Sequence, residues 1–208
     1  MSVYIQKLIA QGEHLQQDFK QRIDDSKKIA KTLVAFANCS GGRILIGIKD
    51  NGRISGVDPE EEYHMIQGAS DLYCKPEVEF ISKVFKTENK AVLEITVLKS
   101  KERPHYAKLE DDTWKAYVRK ADHNYMVNGV QLKLWEFEKK DHGEELTITE
   151  KEEKVFKYLE ENQHITFIKF CNIMRQKPWK AEDTLAKLIR WDVLRMDRTE
   201  NGWQFTLN

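Results

Sequence analysis

No stretch of this chain approaches the roughly 18 consecutive apolar residues that a membrane span requires, so no membrane role is expected. Cysteine is scarce. Cys39, Cys74 and Cys171 are odd in number, widely spaced and without a C-x-x-C pair, which argues against a disulfide framework and a zinc knuckle and points to small buried apolar residues. The opening MSVYIQKLIAQGEHLQQDFK lacks the unbroken apolar core of a signal peptide, so a cytoplasmic location is expected. Net charge is absent as well, with 34 Lys and Arg against 34 Asp and Glu, which counts against a purely electrostatic nucleic-acid binder. The six histidines have no metal-ligand spacing, and no Gly-x-Ser-x-Gly nucleophile motif occurs. The run Gly47-Ile48-Lys49-Asp50-Asn51-Gly52-Arg53 has two glycines but no Lys-Ser/Thr. A strand rather than a helix follows it, so ATP is not an expected ligand.

What is present is an ordinary globular composition, 40% hydrophobic and 33% charged, over 208 residues. That length suits one large domain or a medium one beside a small one. The stretch Lys139 to Glu145 is charged, carries one glycine and has no apolar residue, the composition of a linker. The expected domains are therefore 1–138 and 146–208, joined by 139–145.

The first block reads as α+β. A short helix is expected over 3–10. A second follows Asp24-Asp25-Ser26, which can cap it and place negative charge at its dipole, and carries Ile29, Ala30, Leu33, Val34 and Ala37 at helical spacing. Ser40-Gly41-Gly42 ends it in a left-handed turn. Ile44 to Ile48 is a continuous apolar run, hence a strand buried on both faces. Asp50-Asn51-Gly52 signals a hairpin returning over Arg53 to Val57. A helix over 59–72, strands over Glu77–Phe85 and Ala91–Leu98 around a Glu88-Asn89 turn, a strand over Trp114–Arg119 and a helix over Asn128–Phe137 complete the block.

In the second block Thr147 or Thr149 can cap a helix running through Leu159, a second helix is expected over Ile165–Met174, and Pro178 opens a third that ends near Asp192. Two alternating strands follow, Leu194–Arg198 and Trp203–Leu207. Three short helices and a β-hairpin give the order of a winged helix-turn-helix. In that reading the third helix offers Lys180, Thr184, Lys187 and Arg190 to nucleic acid, and Arg195 and Arg198 arm the wing. Residues 162–208 carry eight Lys and Arg against five Asp and Glu, although Glu182 and Asp183 lie near the start of the reading helix. A winged helix is equally a protein-interaction module.

Gly12-Glu13, Asp18-Phe19-Lys20, Leu33 to Asn38, Ser40-Gly41-Gly42, Ile44 to Ile48, Asp50-Asn51-Gly52 and Ser55-Gly56-Val57 occur in an order and spacing that resembles the Schlafen AlbA_2 family, once labelled divergent AAA-4. Tyr117-Val118-Arg119 resembles the family's late Tyr-x-Arg strand, so the likeness spans roughly residues 1 to 138. The resemblance implies a mixed sheet with flanking helices. Bacterial and archaeal members are commonly joined to a winged helix and regarded as DNA-binding transcriptional regulators.

It also implies a second function. Eukaryotic Schlafen nucleases use three metal-binding carboxylates, and the matching positions here are Glu13, Asp18 and Asp50, with Lys20 completing Asp-x-Lys. Such a cluster would hold Mg²⁺ or Mn²⁺ and activate water, while the lysine offsets negative charge. Asp18 stands where the family has the longer glutamate. The leading expectation is a homodimeric DNA-binding regulator needing no cofactor, with DNA preferred over RNA. The alternatives are a metal-dependent nuclease and a protein-interaction module.

Overall fold

Ile44, Leu45 and Ile46 are fully buried because β2 (Gly42–Ile46) lies inside a sheet covered on both faces. The computed structural model describes residues 3–87, 89–139 and 148–208. In its first sheet β2 pairs in parallel with β1 (Gln17–Lys20) and antiparallel with β5 (Lys90–Val97), and β4 (Phe80–Thr87) closes the order β1-β2-β5-β4 at the outer edge. One face takes α1 (Val3–Gln11), whose Ile5 and Leu8 meet Phe19, Leu45, Ile48 and Val92. The other takes α2 (Ser26–Asn38) and α3 (Pro59–Tyr73), which bury Leu33, Phe36 and Ile66 against Ile44, Ile46 and Ile95. The period-two alternation of β2 thus assigns Leu45 to one core and its neighbours to the other.

The helix α2 begins where the sequence says it should. Asp25 accepts hydrogen bonds from the Lys27 and Lys28 amides at 2.9 and 3.1 Å. It ends as the Gly41 amide bonds the Phe36 carbonyl at 3.0 Å, with Gly41 at φ +72° and no room for a Cβ, which would come within 2.7 Å of the Val97 carbonyl oxygen. A second sheet packs across α2. It runs β3 (Cys74–Lys75), β6 (Tyr106–Lys108), β7 (Trp114–Lys120), β8 (His123–Met126), each pair antiparallel.

Three local expectations are corrected. Arg53 to Val57 is not a strand: the turn closes through an isolated Ile48–Ile54 bridge and the Asn51 side chain, which accepts from the Arg53 amide, and the chain stays beside the sheet through irregular bonds, Ser55 to the Gly47 carbonyl at 2.9 Å and Val57 to the Ala91 carbonyl at 3.0 Å. β1 was not foreseen, since Gln17 and Asp18 are polar yet buried. Ile165 and Thr166 form a short strand, so the helix expected from Ile165 starts at Phe167. Glu88, of the expected turn, lies outside the described residues, as do 140–147, which hold nearly all of the expected linker.

The chain divides into units Met1–Val127 and Asn128–Asn208. The division falls ahead of α4 (Gly129–Lys139), a helix the sequence assigned to the first domain. The reason is visible in the core of the second unit: Val130, Leu134 and Phe137, spaced to share one face of α4, pack with Leu185, Ala186 and Leu188. The rest of that unit follows in the order α5 (Glu150–Asn162), β9 (Ile165–Thr166), α6 (Phe167–Met174), α7 (Pro178–Arg190), β10 (Leu194–Thr199), β11 (Gly202–Leu207). Thr149 and Glu152 form a capping box at α5. β10 and β11 make a hairpin, and β9 pairs with β11 to give a three-stranded sheet. The protein is mixed α+β throughout. No helix among the described residues is long and apolar enough to cross a membrane.

Candidate functional site

In the first unit two of the three acidic residues singled out by sequence, Glu13 and Asp18, are held by internal partners. Parallel pairing of Asp18 with Ile44 turns its side chain toward α2, where it is 5% exposed. Arg119 of β7 reaches it from the second sheet. Its Nη2 donates to Asp18 Oδ1 at 3.0 Å and to the Gln17 carbonyl at 3.2 Å, Nε donates to the His14 carbonyl at 3.3 Å, and Nη1 to Asn124 Oδ1 at 3.1 Å. The guanidinium also lies over the Phe36 ring, 4.9 Å from its centroid. Asn124 extends the network to Thr32 of α2 at 2.9 Å. A buried arginine so fully bonded acts as a clamp between the two sheets and α2.

The other oxygen of Asp18, Oδ2, pairs with the Lys20 ammonium. Glu13 accepts the Phe19 amide at 2.8 Å, which fixes the approach to β1. Asp50 is exposed at the head of the Asp50-Asn51-Gly52 turn. Among the described residues no group of three His, Cys, Asp or Glu side chains is arranged to hold a metal ion. Glu13, Asp18 and Asp50 are thus not gathered into one ligand set among the described residues: Asp18 lies between the Arg119 and Lys20 cations, its buried Oδ2 making no hydrogen bond, Glu13 holds a backbone amide, and Asp50 stands at the surface. Lys20 also borders a cavity of about 200 Å³ formed with Arg22, Ile23, Asp24, Asp25, Lys28 and Ile29. Its charges are internally matched, Arg22 with Asp24 at 2.5 Å and Lys28 with Asp25 at 4.0 Å.

In the second unit α7 is amphipathic, with Ala181, Leu185 and Leu188 inward. The α4 helix covers a second side, running along α7 start to start and end to end. The Glu182 carboxylate sits against Gly129, where a Cβ would collide with it, and the Arg190 guanidinium donates to the Phe137 carbonyl at the far end. Cations near a helix C-terminus are favourably placed there. The remaining side carries the row Lys180, Thr184, Lys187 and Trp191 at successive helical spacings, exposed at its two ends and half-buried at Thr184 and Lys187. Lys180 is exposed. Thr184 Oγ1 donates back to the Lys180 carbonyl at 2.9 Å, and Lys187 pairs with Asp183 at 3.4 Å.

On the hairpin, Arg195 Nε donates to Thr206 Oγ1 at 2.9 Å, and Arg198 turns back on the Thr199 carbonyl. The structure thus brings Lys180, Thr184 and Lys187 onto one face of α7, with Lys180 exposed and the other two half-buried, while Arg190, exposed itself, donates to the Phe137 carbonyl of α4. Sequence reasoning missed Arg119 and Trp191 as site residues. The first was detectable as a charge at an inward position of an apolar strand, which demands a buried partner.

Two solved structures bear a weak likeness. A Corynebacterium diphtheriae protein of known crystal structure aligns over 64% of this chain and 27% of its own, at 19% identity and a TM-score of 0.44. The N-terminal domain of an ATP-dependent DNA helicase RecG-related protein from Nitrosomonas europaea aligns over 56% of this chain and 84% of its own, at 21% identity and a TM-score of 0.43. The chain thus spans about a quarter of the length of the first of these. No curated protein matches. The Schlafen, AlbA_2 family matches residues 13–128, which hold β1, α2, the Ser40-Gly41-Gly42 turn, β2 and the Arg119 strand. That is more than half of the sequence, and the chain belongs to the Schlafen AlbA_2 family.

Proposed function

We propose that this is a nucleic-acid-binding protein whose second unit is a winged helix, acting as a DNA-binding transcriptional regulator. One observation carries the reading: Lys180, Thr184 and Lys187 share one face of α7, away from its apolar side, in a unit whose element order α5-β9-α6-α7-β10-β11 supports a winged helix. A helix of this kind fits a major groove. Its lysines meet phosphates or guanine edges, threonine meets either, and Arg195 and Arg198 on the hairpin reach the adjoining backbone. Family membership supports the same direction. The neutral net charge then predicts weak non-specific binding, so selectivity comes from α7 rather than from bulk attraction.

Each α7 would address one half-site, which argues for a homodimer. Light scattering tests this against the 24.5 kDa chain mass. Function is tested by fluorescence anisotropy with labelled duplex DNA and RNA across a salt series. Binding to DNA that weakens with salt, and that falls at least tenfold in Lys180→Ala/Lys187→Ala, is the expected result. Retention of neither nucleic acid would sink the reading. The nuclease alternative is not favoured, because the bonding of Asp18 to Arg119 and Lys20 leaves no shared ligand set with Glu13 and Asp50.

A further inference from the structure

Trp191 closes the row that Lys180, Thr184 and Lys187 begin, and it is 49% exposed. Its mount is rigid. The Trp191 amide donates to the Lys187 carbonyl at 3.0 Å, which continues the phase of α7, and Val193 bonds back to the Leu188 carbonyl at 2.9 Å. The next residue, Asp192, is left-handed at φ 60°, and the Asn208 side chain holds it from the end of the chain through its carbonyl, at 3.2 Å, and its carboxylate. A large ring is thus displayed half in solvent at a hydrogen-bonded helix end, beside cations suited to phosphate.

Lys187 shares its charge with Asp183, so the row is a modest grip for a phosphate backbone alone. An indole supplies what the lysines lack, a flat apolar surface for stacking. Paired bases inside a duplex have their faces covered by neighbours, whereas an unpaired base offers one. Resting on the nucleic-acid reading above, we propose that Trp191 is a base-stacking residue and that the preferred ligand is DNA with an unpaired base beside the segment held by α7.

The test compares the full chain on a labelled intact duplex and on the same duplex with a central unpaired bubble. The bubble should bind about 5- to 150-fold more tightly, the range one stacked base supplies. Trp191→Leu should erase that difference, bringing the bubble and the intact duplex to the same affinity, and Trp191→Phe should retain most of it. A 2-aminopurine in the bubble should be quenched on binding the unsubstituted chain, a readout that needs no variant to fold. Equal affinity for the two probes, an unquenched 2-aminopurine, or a loss in Trp191→Leu that is equal on both probes would overturn the proposal while leaving duplex binding intact. Binding to neither probe would remove the nucleic-acid reading and this proposal together.

Discussion

Arg119 and Asp18 form the most consequential pair in the first unit, with side chains 1% and 7% exposed. Removing one partner of a buried ion pair strands the other charge. Arg119→Ala should therefore cost about 3–5 kcal/mol, read as a lowered denaturant midpoint, while Glu13→Gln, which keeps an acceptor for the Phe19 amide, should cost far less. Glu62 behaves differently. It accepts the Ile23 amide at 2.9 Å, and burial raises its carboxyl above the ordinary value. The folded chain then holds this proton to a higher pH than the unfolded chain does. The penalty for burying the charge is accordingly full above the raised value and fades as pH falls through it toward the ordinary carboxylate range. Thermal melts from about pH 4 to about pH 8 should show Glu62→Gln losing part of the decline in stability that sets in as pH rises from the ordinary carboxylate range through the raised value. An unchanged pH slope would exclude Glu62 as its source.

At the scale of elements, α2 was legible throughout, since Asp25, the helical spacing of Ile29 to Ala37 and the Gly41 turn all agree, and β2 was legible in kind though it runs Gly42–Ile46 where Ile44 to Ile48 was expected. β1 was not, because strand signals rest on apolar alternation, whereas Gln17 is buried by donating to the Leu8 and Gly12 carbonyls, both at 2.7 Å, and Asp18 by Arg119. Those partners lie up to 101 residues away, beyond the reach of local pattern. The carboxylates were named through the family resemblance, which likewise does not say that Asp18 meets Arg119, 101 residues further on. The position of α4 was legible only in part. Its Val130-Leu134-Phe137 face was plain, and its partner was not. A fragment 128–208 should fold and melt cooperatively by circular dichroism. One beginning at 146 would expose Leu185, Ala186 and Leu188 and should aggregate or melt without cooperativity. Equal behaviour of the two fragments would refute the assignment of α4.

For the molecule as a whole, equal numbers of acids and bases and a pI near 7.0 leave little mutual repulsion between copies at neutral pH. Solubility then depends on where individual charges sit. β4 is the outer strand of its sheet, eight residues long, with Ile81 61% and Val84 45% exposed, and Lys83 and Lys86 interrupt that apolar line. The two lysines are insulation on a live edge: each extra strand would have to bury a cation to dock. Lys83→Val/Lys86→Val should leave the melting point nearly unchanged yet turn this margin into a template, seen as turbidity growing with protein concentration at pH 7.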